Sequence, residues 1–122
     1  MSVTIDNIIY KIVYSHEDSR EHYATIVGYE RHTPTALVLH STVTNPTDGT
    51  TYSVTEIGDH AFQGCDGFNG SLNVPDSVTT IGSYAFQGCV GFTGDLHIPD
   101  GVTTIGDHAF QGCDGFNGSL NV

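Results

Sequence analysis

The chain of 122 residues has no tryptophan, one methionine and only three basic residues, Lys11, Arg20 and Arg31, all in its first third. Residues 57–122 carry aspartates at 59, 66, 76, 95, 100, 107 and 114 and no Lys or Arg. With a formal net charge of −11, the chain lacks the clustered cations that hold phosphate backbones, which excludes nucleic acid as a partner. An anionic membrane surface is disfavoured for the same reason. A basic protein surface, or simple solubility, suits this charge. There is no run of about 18 apolar residues, so no transmembrane helix and no membrane insertion is expected. Met1 to Asp6 has neither a basic n-region nor an apolar h-region, so no signal peptide is expected in this chain. Apolar content (38%) and charged content (14%) are both low, and glycine is frequent at 15 residues. That balance suits a thin structure with a narrow interior and many turns. Cysteine is scarce too. Cys65, Cys89 and Cys113 lie 24 apart, which fits neither a CxxC zinc site nor a disulfide scaffold. Buried free thiols acting as small hydrophobes are expected.

The chain does have a repeat. Ile57-Gly58-Asp59-His60-Ala61-Phe62-Gln63-Gly64-Cys65 returns as Ile81-Gly82-Ser83-Tyr84-Ala85-Phe86-Gln87-Gly88-Cys89. It returns again as Ile105-Gly106-Asp107-His108-Ala109-Phe110-Gln111-Gly112-Cys113. A fixed period of this length marks a stack in which no single unit can bury its own apolar face. The fold expected is an α/β, β-rich solenoid of 24-residue coils, each a strand, a turn, a strand and a short helix. Leu72-Asn73-Val74 reads as one strand, Val78 to Ile81 as a second, and Asp59 to Gln63 as one helical turn capped by Asp59. Stacking should align Phe62, Phe86 and Phe110 in one internal column and Phe68, Phe92 and Phe116 in another.

Residues 1–56 lack the repeat and read as a β-hairpin cap and lead-in, with residues 57–122 the solenoid. Ile8 to Tyr14 and Tyr23 to Tyr29 alternate with the period of a strand and its antiparallel return, joined by a polar turn from Ser15 to Glu21. Arg31 to Pro34 breaks the second strand, and Ala36 to His40 reads as a short strand. Thr42 to Thr44 and Thr51 to Val54 flank Asp48-Gly49, a hairpin signal.

The units resemble the BspA-type leucine-rich repeats of cell-surface proteins, whose pattern runs roughly L-x-I-P-x-x-V-T-x-I-G-x-x-A-F-x-x-C. Leu72-x-Val74-Pro75-x-x-Val78-Thr79-x-Ile81-Gly82-x-x-Ala85-Phe86-x-x-Cys89 follows it, as does the copy from Leu96 to Cys113. Tyr52-x-Val54-Thr55-x-Ile57-Gly58 resembles that family's lead-in. The chain departs from the pattern at Phe68, Phe92 and Phe116, where many repeats carry Leu, and at the extra Gly70, Gly94 and Gly118. Residues 57–74 and 105–122 are identical, and no terminal cap follows, so the last apolar face is expected to be open.

Candidate chemistry is sparse. His60 and His108 are two coils apart with Tyr84 between them, too far to converge on one metal ion. Asp66, Asp76 and Asp100 could line an edge that binds calcium weakly, although solvated turns explain them better. Paired carboxylates and nucleophile–base pairs do not converge in a pattern that spreads like residues along lines, so no catalytic residue, cofactor or metal is expected and the chain does not read as an enzyme. The better site is the outward face of the Leu-x-Val strands: Ser71 and Asn73, Asp95 and His97, Ser119 and Asn121. The resemblance implies a cell-surface or secreted, non-catalytic module that binds a host or extracellular matrix protein. The alternative is a spacer or assembly unit that self-associates, as a homodimer, through Phe116, Leu120 and Val122 at the open end.

Overall fold

The computed structural model describes residues 2–13, 22–30, 35–65, 67–116, 118 and 120–121. The order of strands is β1 (Ser2–Ile5), β2 (Ile8–Val13), β3 (Tyr23–Tyr29), β4 (Thr35–Ala36), β5 (Thr42–Thr44), β6 (Thr51–Ile57), β7 (Phe68–Asn73), β8 (Thr80–Ile81), β9 (Phe92–His97), β10 (Thr104–Ile105) and β11 (Leu120–Asn121). They form two sheets. One runs β1-β2-β3-β6-β8-β10 with β5 paired to β6, and the other runs β11-β9-β7-β4.

The period of 24 becomes register. Ile57 pairs with Ile81 and Ile81 with Ile105, in parallel, while Leu72 pairs with Leu96 and Leu96 with Leu120. Parallel neighbours place like residues about 4.8 Å apart, and the phenylalanines stack accordingly. Phe62, Phe86 and Phe110 have ring centroids 5.2 and 5.3 Å apart. Phe68, Phe92 and Phe116 are spaced 6.5 and 5.6 Å apart. The two columns touch edge to face, Phe62 on Phe68 and Phe86 on Phe92, the arrangement aromatic quadrupoles favour. Tyr29 of β3 closes both columns at their N-terminal end. It stacks on Phe62 at 5.6 Å and meets Phe68 edge-on at 5.1 Å. Nothing in the repeat pattern points to Tyr29, because it lies outside the repeats.

In the N-terminal region β2 and β3 pair antiparallel as expected. Their connection, residues 14–21, and the break at 31–34 lie outside the described residues. β1, which sequence reasoning missed, pairs with β2 through a turn at Asp6 and Asn7, both with positive φ. The hairpin of β5 and β6 forms, with Gly49 at φ 72° and the buried Asn45 accepting the Thr47 N–H through Oδ1 at 3.0 Å.

Five expectations need correction. The α component is absent: every regular element among the described residues is a strand, and residues 59–64 form turns. The hydrogen bonds explain why. Ala61, Gln63 and Cys65 N–H groups donate three residues back, to Gly58, His60 and Phe62. The alternate groups of His60, Phe62 and Gly64 donate instead to Ser83, Ala85 and Gln87 of the next repeat. A helix needs consecutive N–H groups bonded four residues back, and a lone turn is entropically poor; here every second donor goes to the neighbour, with His60 at φ 61° and Gly64 at φ 71°. Asp59 accordingly caps no helix; its Oδ1 accepts the Ser83 N–H at 2.8 Å. The Leu72 strand begins earlier than expected, at Phe68, and stops before Val74, whose N–H donates to His97 O at 3.1 Å. Two expected strands shorten: that over 36–40 to Thr35–Ala36, paired with the start of β7, and that over 78–81 to Thr80–Ile81.

Glycine in the Ile-Gly step answers to close approach. A Cβ on Gly82 would stand 2.7 Å from Gly58 C, because Gly82 N–H donates to Ile57 O at 2.7 Å. No side chain fits between those backbones.

Candidate functional site

Strands β7 and β9 present one face to the interior and one outward. Phe68, Leu72 and Phe92 are buried, while Asn69, Asn73, Thr93 and Asp95 are exposed and Ser71 and His97 half-buried. The register sets Asn73 beside His97 and His97 beside Asn121. Ser71 lies across from Asp95, whose backbone N–H donates to Ser71 Oγ at 2.9 Å. Four of the expected residues, Ser71, Asn73, Asp95 and His97, thus share one outward surface. Asn121 is placed there by its backbone only, and Ser119 lies outside the described residues.

Asn69 and Thr93 belong to the same surface and were missed. Counting alternate residues outward from Phe68 and Phe92 would have found them. The sequence pattern starts the strand at Leu72, which leaves Asn69 and Thr93 outside it, whereas the strands begin at Phe68 and Phe92.

A second ordered surface follows the turns. Rings of His60 and Tyr84 stack at 5.1 Å and 3°, and those of Tyr84 and His108 at 5.0 Å and 24°. Beside them the amide of Gln63 donates to Gln87 at 2.5 Å and that of Gln87 to Gln111 at 2.8 Å. His60 Nδ1 lies 2.8 Å from Gln63 Oε1. The rings are stacked and their nitrogens do not converge. Among the described residues no group of three His, Cys, Asp or Glu side chains could hold a metal ion. Asp76 and Asp100 do line a shared cleft of about 280 Å³ with His97 and Pro99, and Asp66 lies outside the described residues.

The thiols are interior. Cys65 and Cys89 are buried and Cys113 partly so. Cys89 Sγ donates to Phe62 O at 3.0 Å and Cys113 Sγ to Phe86 O at 2.8 Å. The hydrogen bond from the Cys113 thiol pulls the Cys89 thiol down, but its own bond to Cys65 and its burial outweigh this and push it up to about 12. Cys113 is pushed up by its bond to Cys89 and by burial. Such thiols stay protonated at neutral pH and make poor nucleophiles.

At the last repeat the interior opens. Ile105 is 47% exposed where Ile57 and Ile81 are 0%, and Phe110 and Phe116 are only partly buried. The side chain of Leu120 is not described, and Val122 lies outside the described residues.

Residues 48–119 match the family described as "BspA type Leucine rich repeat region (6 copies)". No curated protein matches the chain. Among solved structures, a leucine rich cell surface protein from Faecalibacterium prausnitzii is similar with a TM-score of 0.70 and 26% identity, over 98% of this chain and 32% of that one. A leucine-rich repeat protein from Bacteroides capillosus is similar at 0.67 and 21% identity, over 99% of each chain. The pneumococcal vaccine antigen PcpA is similar at 0.57 and 16% identity, over 100% of this chain and 38% of that one. This chain therefore spans about a third of the length of the Faecalibacterium protein. Two relatives below 25% identity establish the shared β-rich repeat fold, and the match over 48–119 covers more than half the sequence. The chain belongs to the BspA-type leucine-rich repeat family.

Proposed function

We propose that this chain is a non-catalytic protein-binding module of a cell-surface or secreted protein, that its binding face is the outward surface of β7, β9 and β11, and that its ligand is a host or extracellular matrix protein. In this reading residues 57–122 are a solenoid of 24-residue coils, and residues 1–56 are its cap and lead-in. The observation that carries the proposal is where the first two repeats differ. Between residues 57–80 and 81–104 the changes are Asp59/Ser83, His60/Tyr84, Asp66/Val90, Asn69/Thr93, Ser71/Asp95, Asn73/His97, Val74/Ile98 and Ser77/Gly101. Val74/Ile98 alone is a buried pair, and it stays aliphatic. Three of the changes, at 69/93, 71/95 and 73/97, fall together on the outward face. Side chains held in register on a rigid sheet and free to vary are what a recognition surface needs. The Faecalibacterium relative, described as a cell surface protein, supports the location.

The test is binding of the purified chain to an immobilised panel of collagens, laminin, fibronectin and fibrinogen, beside an Asn73→Arg/Asp95→Lys variant of unchanged circular dichroism. Binding to a panel member that drops at least tenfold in the variant supports the proposal. Binding to none, or equal binding by both proteins, overturns it.

A second reading rests on Ile105, Phe110 and Phe116. Their exposure, together with the outermost places of β10 and β11 in their sheets among the described residues, favours self-association as a two-fold dimer through this end. Sedimentation equilibrium over a wide concentration range should then show dimer that Ile105→Asp abolishes; a monomer throughout would end this reading.

A further inference from the structure

We infer that the cysteine column is an oxidisable site, in which Cys65 and Cys89 join as a disulfide between neighbouring repeats and Cys113 is left as the free thiol. The inference stands on this chain's own chemistry and does not depend on the ligand or the location proposed above. The turns that carry the two cysteines are joined by the Gly64 N–H donating to Gln87 O at 2.6 Å; backbones bonded in this way lie about 4.8 Å apart in paired strands, inside the range of about 4.4–6.8 Å between Cα atoms that a disulfide bridges. Parallel Cβ directions along the stack argue against a bridge, but the side chains resolve the point. Cys65 Sγ and Cys89 Sγ face each other at 2.6 Å, about 0.6 Å beyond the S–S bond length of about 2.05 Å. Both residues are closed to solvent, at 1% and 0% exposure. Cys89 is shared, since its thiol also interacts with that of Cys113, so only one bridge can form in the column. Two features select Cys65 as its partner. Cys113 is committed to Phe86 O at 2.8 Å, and it lies in the more exposed last repeat.

The chemistry balances with a small-molecule disulfide such as oxidised glutathione as the oxidant. One protein thiolate attacks it, forming a mixed disulfide and releasing one glutathione thiol. The second protein thiol then displaces the other glutathione, leaving the Sγ–Sγ bond. The protein gives up two protons and an electron pair, and the oxidant leaves as two thiols. Burial and the high thiol pKa values make this slow in the folded chain, so bridging proceeds during folding, before the column closes.

The experiment refolds the full chain in a mixture of reduced and oxidised glutathione, with a fully reduced control. Both are denatured, alkylated and mapped by mass spectrometry. The expected result is one alkylated cysteine, Cys113, and a linked pair of peptides containing Cys65 and Cys89. The oxidised protein should melt on the order of 10 °C higher than the reduced form. A Cys113→Ser variant should keep the bridge and a Cys89→Ser variant should lose it. Alkylation of all three thiols, a Cys89–Cys113 bridge, or only intermolecular disulfides would each overturn the inference. Because Cys113→Ser alters only the partly exposed thiol, it keeps the test decisive even where Cys89→Ser fails to fold.

Discussion

Replacing Phe86 by Ala should cost far more than the same change at Phe110, although the two occupy the same place in the shared Ala-Phe-Gln-Gly-Cys motif. Phe86 is fully buried and touches three rings: Phe62 at 5.2 Å, Phe110 at 5.3 Å and Phe92 at 6.5 Å. Truncating a buried Phe costs about 3–5 kcal/mol, and each lost aromatic pair adds about 0.5–1.5 kcal/mol beyond area. Phe110 is only partly buried and stacks on Phe86 alone in its column, so roughly 1–2 kcal/mol is expected there, scaling the burial term down with exposure. Domains of this size have about 5–15 kcal/mol in total. Phe86→Ala therefore removes a large fraction and uncouples the last repeat from the N-terminal region, since repeats are held by nearest-neighbour contacts. With no tryptophan, urea unfolding is best followed by far-UV circular dichroism and tyrosine emission together. The reasoning predicts coincident transitions for the wild type and a broadened, probe-dependent transition for Phe86→Ala. Equal losses at the two positions, or less than about 1.5 kcal/mol at Phe86, would refute the column as the source of stability.

Gly82→Ala should destabilise by about 3 kcal/mol through backbone collision with Gly58, whereas Gly64→Ala, with open space but φ at 71°, should cost about 1–2 kcal/mol; urea midpoints give both. Asp59→Ala removes the bond to Ser83 N–H, an exposed one, and should cost about 1 kcal/mol; a loss of helical signal in circular dichroism would contradict the turn geometry. In the fully reduced protein the Cys89 thiol is pushed up to about 12 from 9.0, so its proton is kept longer in the folded chain than in the unfolded one. Its contribution is whole below about pH 9 and is lost as pH climbs toward about 12, because the unfolded chain releases its proton first. Tyr10, raised above 10.0 by burial and then by Asp6, acts in the same direction above about pH 10. Urea midpoints should therefore fall steadily above about pH 9, and a flat profile there would count against both assignments.

What sequence made legible was whatever the period controls. Ile57, Phe62, Cys65, Phe68 and Leu72 recur at one spacing, and a stack turns recurrence directly into contact, so both phenylalanine columns could be named beforehand. The short helix failed because local spacing in Asp59 to Gln63 fits a helical turn equally well. The competing acceptors, the carbonyl oxygens of Ser83, Ala85 and Gln87, lie one repeat away and leave no local trace. Tyr29 was invisible for a different reason: it completes the columns from outside the repeat. On the outward face Asn73 and Asp95 were legible from their Leu neighbours, while Asn69 and Thr93 were missed because the strands begin at Phe68 and Phe92, ahead of the Leu-x-Val pattern. The amide ladder of Gln63, Gln87 and Gln111 was within reach, since an invariant polar residue at an exposed repeat position calls for a partner in the next coil.

Whether the proposed recognition face can be changed without loss of structure can be tested directly. Backbone bonds between repeats, such as Gly82 N–H to Ile57 O and Phe62 N–H to Ala85 O, require no particular outward side chain. Changing Thr93, Asp95 and His97 to the residues of the first repeat, Asn, Ser and Asn, would make the outward face uniform while leaving every buried residue in place. The Asp95 N–H that reaches Ser71 Oγ belongs to the backbone and survives the change. Surface substitutions away from structural features usually stay within about 0.5 kcal/mol, so the triple variant should unfold within about 1 kcal/mol of the wild type. If these side chains carry recognition, its binding to a matrix protein should nonetheless be lost. A variant destabilised by more than about 2 kcal/mol would mean that the outward face is itself structural. A stable variant that still binds would move the site elsewhere, with the stacked rings of His60, Tyr84 and His108 the next surface to alter.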